Sequence, residues 1–96
     1  MDVRIQAIHF EASERLNEFI NKKAERLARR FGIISDIDVT LKVVKPETSM
    51  NKEANVRVRA PQCAELVATK TADSFEEAVD MCLEAVERQL EKNKDR

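Results

Sequence analysis

The feature that most constrains this chain is how often its hydrophobic period changes. Residues 2–8 alternate, with Val3, Ile5 and Ala7 on one face and Arg4 and Gln6 on the other. That is the pattern of a half-buried strand. Over residues 12–31 the spacing lengthens to three or four, and Leu16, Ile20, Ala24, Leu27 and Phe31 form one helical stripe. Residues 36–45 return to alternation, with Ile37, Val39, Leu41 and Val43 against Asp38, Thr40 and Lys42. Residues 53–60 place Ala54, Val56 and Val58 opposite Arg57 and Arg59, and residues 64–72 form a weaker strand. A second helical stripe follows in Phe75, Val79, Cys82, Val86 and Leu90, with fraying expected near Lys92.

The order is βαβββα. Alternating strands give a sheet with one covered and one wet face, and two amphipathic helices suffice to cover the first. The expected fold is therefore α+β, a two-layer sandwich of a four-stranded sheet with both helices on one face. The first two strands should be parallel, joined by a right-handed crossover through the first helix. The remaining strands should follow as antiparallel hairpins. Ser13 is placed to cap the first helix, and Ser74 with Glu77 forms a capping-box pattern for the second. Gly32 sits where a helix end favours a left-handed residue. Pro46 and Pro61-Gln62 mark loop and turn.

Composition narrows the function. The chain has 96 residues, 43% of them apolar and 36% charged. That suits one small globular domain over residues 1–96 rather than a disordered segment. No apolar run approaches a membrane span and no secretory core follows Met1, so a cytoplasmic protein without membrane contact is expected. Cys63 and Cys82 fit no CxxC pattern, and with His9 the sole histidine no metal site is expected. Cys82 lies in the helical stripe and reads as a buried structural thiol. Cys63 follows Pro61 in a turn and is assigned no role. His9 reads as a buried or half-buried structural residue. With one glycine there is no phosphate-cradling loop, and with one histidine no plausible catalytic triad. The abundant carboxylates lie on solvated flanks. No enzyme activity, cofactor or small-molecule substrate is expected.

The charge is sorted. The chain carries 17 basic and 18 acidic residues, a net −1, which excludes a uniformly basic coat. On the first helix Arg15, Lys22, Lys23, Arg26, Arg29 and Arg30 flank the apolar stripe on one side, and Glu14, Glu18 and Glu25 on the other. A merely solvated helix would interleave its signs. On the second helix Glu76, Glu77, Asp80, Glu84, Glu87 and Glu91 take one flank, and Arg88, Lys92 and Arg96 the other, with Lys94 the exception on the acidic side. If the helices lie side by side, their basic flanks could face each other across one groove that holds phosphate. Dipole compensation accounts for part of the cluster near residues 88–96, and for less of the first helix. The wet sheet face offers a second patch, Arg4, Lys42, Arg57 and Arg59, with no aromatic residue on which a base could stack. Phosphate contact and ordinary solvated strand residues both remain open there.

Val86-Glu87-Arg88-Gln89-Leu90-Glu91-Lys92-Asn93-Lys94 resembles the closing motif of the ribosome hibernation-promoting factors, also called ribosome-associated inhibitors or the S30AE domain. The resemblance extends to Ala78-Val79-Asp80, to Glu18-Phe19-Ile20, Lys23, Arg26-Leu27 and Phe31, and to residues 39–45. It covers nearly the whole chain. It implies a fold similar to a double-stranded-RNA-binding domain. It also implies a non-catalytic partner of the 30S ribosomal subunit and the 70S ribosome. Such a protein contacts 16S rRNA near the decoding centre, occludes the mRNA and tRNA channel and inhibits translation under stress or in stationary phase. Carried over by position, the rRNA contacts are Lys23, Arg26, Lys42, Lys45, Arg88, Lys92 and Lys94. Arg29 and Arg30 join them from the charge pattern alone. Family members commonly have Gly where Ala7 stands and Tyr where Glu76 stands, which puts a contact by that Tyr in doubt. The chain looks like a short form, without the dimerisation domain of the long one. Two other readings stand beside this one: a general duplex-RNA-binding module, and a protein-interaction adaptor using the acidic flanks.

Overall fold

The computed structural model describes residues 2–44, 50–61 and 65–94, with side chains as far as Lys92. Along the chain run β1 (Asp2–Ala7), α1 (Glu14–Arg30), β2 (Asp36–Val43), β3 (Lys52–Arg59), β4 (Leu66–Ala72) and α2 (Phe75–Lys94). The sheet order is β1-β2-β3-β4. β1 and β2 are parallel, with Val3 opposite Ile37 and Ile5 opposite Val39. β2 with β3 and β3 with β4 are antiparallel. This is the α+β sandwich that the changing period predicts.

Side-chain alternation places the core. Ile37, Val39 and Leu41 from β2, and Ala54, Val56 and Val58 from β3, are fully buried on the helix-covered face. Against them lie Ile20 and Ala24 of α1 and Val79, Cys82, Val86 and Leu90 of α2. α2 packs on β3 and β4, while α1 lies beside α2 on the β1 side. Phe10 and Phe75 stack with ring centroids 5.0 Å apart and pin the β1–α1 loop to the start of α2. Both helix starts are capped as expected. Ser13 Oγ accepts from Leu16 N at 3.1 Å, and Ser74 Oγ accepts from Glu77 N at 3.2 Å.

Three local expectations resolve. Gly32 does not adopt a left-handed conformation; α1 ends instead at Phe31, whose N–H still reaches Leu27 O. Nothing lies within 4 Å of where a Gly32 Cβ would stand, so neither crowding nor conformation demands glycine. His9 is exposed rather than buried, with φ 64°, in the loop held by Phe10. Cys82 is the buried structural thiol expected. Its Sγ–H donates to Ala54 O at 3.2 Å, and burial pushes its pKa up to about 11. Cys63 lies outside the described residues.

Candidate nucleic-acid interface

The direction of the two helices decides the electrostatics of the helix layer. β1 and β2 are parallel, so α1 runs opposite to both. β3 reverses β2 and β4 reverses β3, so β4 points with β2, and α2 returns from it in the direction of α1. Each helix carries base, apolar stripe and acid in the same rotational order. Two helices with one rotational order, laid parallel on one face, must set the basic flank of one against the acidic flank of the other. Facing like flanks would require antiparallel helices.

The contacts follow that rule and correct the expected groove. Lys23 Nζ lies 3.1 Å from Asp80 Oδ1. Arg30 bonds Glu87, and its Nη2 lies 2.6 Å from Glu91 Oε1. The two anchor points advance together along both helices, as parallel neighbours must. The groove is lined by Lys23, Arg26, Leu27 and Arg30 from α1 and by Asp80, Leu83, Glu84 and Glu87 from α2. It is a strip of mixed charge, not a basic trough. Arg88 and Lys92 are exposed on the flank of α2 turned away from α1.

The expected contact residues thus divide. Arg26 and Arg29 are exposed, and among the described residues neither has an ion-pair partner. With Lys22 they form the outward crest of α1, beside half-buried Phe19. Lys23 is half-buried; its ammonium also sits 5.5 Å from the Phe19 ring centroid. Arg30 is exposed but committed to two carboxylates, with its guanidinium 5.3 Å from the Phe31 ring. Lys42 is exposed near the end of β2, opposite Glu53. Lys94 falls within α2, but its side chain, like Lys45 altogether, lies outside what is described. The structure unites Lys23, Arg26, Arg29 and Arg30 on α1 and separates them from Arg88 and Lys92.

The wet face of the sheet is neutralised. Arg4 stands opposite Asp38 across β1 and β2, and Asp36 opposite Arg59 across β2 and β3. Arg4 Nε lies 2.5 Å from Asp38 Oδ1 and its Nη2 2.7 Å from Asp36 Oδ2. Arg59 Nη1 reaches Asp38 at 2.6 Å and Asp36 at 3.2 Å. Hydrogen bonds from Arg4, assisted by Arg59, hold both carboxyls below their ordinary range, and the same bonds raise both guanidiniums. Arg57 pairs with Glu65 at 2.7 Å. Of the four cations expected on this face, only Lys42 has no ion-pair partner among the described residues.

Comparison with known proteins connects this architecture to a family. A family model described as sigma 54 modulation protein / S30EA ribosomal protein matches residues 3–96. The chain belongs to this family. A protein of Pseudomonas putida named ribosome hibernation promoting factor is 27% identical over all of this chain and 89% of its own length. One of that name from Azotobacter vinelandii is 28% identical, over all of this chain and 85% of its own. A ribosomal subunit interface protein from Coxiella burnetii has a similar fold, with TM-score 0.86 at 24% identity over the full length of both chains. The N-terminal domain of Thermus thermophilus Protein Y is similar with TM-score 0.79 at 17% identity, over 96% of this chain and 98% of that one. The last two likenesses speak for the fold alone. Among the described residues there is no cluster of side chains that could hold a metal ion, and no helix long and apolar enough to cross a membrane.

Proposed function

We propose that this chain is a ribosome hibernation factor of the S30AE family. It binds the 30S subunit near the decoding centre, blocks the path of mRNA and tRNA by occupancy, and so acts in the cytoplasm without chemistry. The full-length family match carries the reading. The exposed cations support it physically. Arg26 and Arg29 on the crest of α1 and Arg88 and Lys92 on the far flank of α2 are available to phosphate. Lys42 is a further candidate contact, and Lys45 and Lys94 remain candidates by family position. Lys23 and Arg30 contribute only if phosphate displaces their carboxylates. Two separated basic edges suit a folded RNA surface with phosphates at fixed positions better than a single rod-like duplex. The adaptor reading loses ground, because Asp80, Glu87 and Glu91 on the acidic flank of α2 are engaged by α1.

Co-sedimentation with 30S subunits at near-physiological salt, with excess duplex RNA as competitor, tests the proposal. Retention on the subunit is expected. Transfer to the competitor would favour a general duplex-RNA module, and binding to neither would leave only a fold in common with the family.

A further inference from the structure

β4 carries a cation on the face where its strand pattern calls for an apolar residue. Leu66, Ala68 and Ala72 point toward the helices and are buried. Lys70 belongs to the same alternation and stands directly opposite fully buried Ala54. Lys70 is nevertheless exposed. β4 is the last strand of the sheet, so this side chain reaches solvent over the open edge, along the outer flank of α2. Cys82 marks the level along α2 at which it passes. Its Sγ–H donates to Ala54 O, the carbonyl of the residue opposite Lys70. Burial raises the Cys82 thiol, and the backbone and charge of Lys70 pull it partly back, which places Lys70 beside it.

The flank of α2 that meets this edge is the one turned away from α1, because α1 covers the β1 side. It carries Arg88 and Lys92, both exposed. α2 runs antiparallel to β4, and Arg88 stands about 9 Å beyond Cys82 along the helix axis, with Lys92 one turn further. Among the described residues none of the three cations has an ion-pair partner. We infer that Lys70 belongs to the RNA-binding surface: with Arg88 and Lys92 it forms a basic seam between the edge of β4 and the outer flank of α2, which takes successive phosphates of one RNA strand. This inference rests on the ribosome-binding reading and deepens it. Local packing does not ask for lysine, since an apolar side chain at this position would bury more surface against Ala54 and Cys82. Lysine gives up that burial and sets its charge where the strand edge and α2 converge. The seam is built on two elements locked together by the core, so little ordering is lost when phosphate binds. A lysine on an edge strand can also discourage pairing with another sheet. That role predicts self-association when the charge is removed, not the loss of a phosphate contact.

The test measures binding of 30S subunits, and of an oligouridylate of about 20 nucleotides, across a salt series. Lys70→Gln should weaken 30S binding about fivefold at near-physiological salt. It should also flatten log K against log salt by roughly 0.7, the slope of one lost contact to single-stranded phosphate. Lys70→Arg should bind within about twofold of the unmodified chain. Arg57→Gln, an equal charge change on the sheet face where Arg57 is paired with Glu65, should cost less than about twofold. In an Arg88→Gln/Lys92→Gln background Lys70→Gln should cost little more, because the strand has already left the seam. In an Arg26→Gln/Arg29→Gln background it should cost its full amount. Unchanged binding by Lys70→Gln, an equal loss from Arg57→Gln, or a full loss in the Arg88→Gln/Lys92→Gln background would each overturn the inference. So would a loss that appears only where gel filtration shows Lys70→Gln to self-associate, since Lys70 would then guard the strand edge. Circular dichroism checks folding, and Lys70→Met, which keeps the apolar stem, replaces Lys70→Gln if that variant is damaged. If the unmodified chain does not bind 30S, the ribosome reading falls and the oligouridylate decides: Lys70→Gln must still flatten its salt slope, or the seam falls too.

Discussion

The two outer surfaces of this sandwich are built from similar residues and behave differently. On the sheet face Arg4 and Arg59 meet Asp36 and Asp38 across adjacent strands, and every partner stands directly opposite or two residues along the neighbouring strand. On the helix layer the same charge types are sorted by flank, and among the described residues pairing occurs only where two flanks meet. Strand neighbours are a few ångströms apart on both sides, so opposite charges in register neutralise each other almost completely. A helix has one neighbour here, and among the described residues the cations on the crest of α1 and on the far flank of α2 have no ion-pair partner. The difference teaches that a count of basic residues says little about affinity for RNA. Which cations lack an anionic neighbour says more.

The largest expected effect removes what both surfaces stand on. Ile20 is fully buried between α1 and the sheet, and Ile20→Ala should cost about 2–5 kcal/mol in chemical denaturation. A much smaller loss would mean that the helix layer is less firmly seated than its core implies. The comparison itself is sharpened by charge reversal. Arg26→Glu/Arg29→Glu should weaken 30S binding about 100-fold, Arg88→Glu/Lys92→Glu about tenfold, and Arg4→Gln/Arg59→Gln less than about threefold. Equal losses from the sheet variant would break the distinction between paired and free cations. Ser13→Ala removes the cap of the helix that carries the crest, and should lower stability by about 1 kcal/mol without changing the fold.

The smallest effect is a pH dependence confined to the sheet face. Asp36 and Asp38 titrate lower when folded than when unfolded, chiefly through hydrogen bonds from Arg4. Their contribution to stability is complete above the ordinary carboxylate range, about pH 4, and is lost as pH falls through the depressed folded values. Thermal melting between roughly pH 2 and 5 should show a shallower slope for Asp36→Asn/Asp38→Asn than for the unmodified chain. Identical slopes would mean that the lattice of arginines and aspartates contributes no measurable stability in water.

Much of this was legible along the chain. The alternation of Ile37, Val39 and Leu41 put those residues in the core, and Ser13 and Ser74 marked helix starts that the hydrogen bonds bear out. The parallel β1–β2 pairing followed from a helix lying between two strands. The facing of basic flanks did not hold, although its refutation lay in the same data. Strand directions fix helix directions, and parallel helices with one rotational order cannot present like flanks to each other. His9 and Gly32 were misjudged for another reason. A single loop residue has no period, and its exposure and dihedral angles depend on where Phe10 and Phe31 are held.

The amino-acid sequence by itself determined the elements, their order, the buried stripe of each and the sorting of charge into flanks. These depend on spacing along one chain, and hydrophobic burial reads spacing directly. Only the tertiary structure decided which charges are spent. The union of Arg30 with Glu87 and Glu91, of Lys23 with Asp80 and of Arg4 with Asp36 and Asp38 spans more than thirty residues in every case. Coulomb attraction depends on distance through space, and that distance exists only once the helices lie parallel on the sheet and the strands are in register.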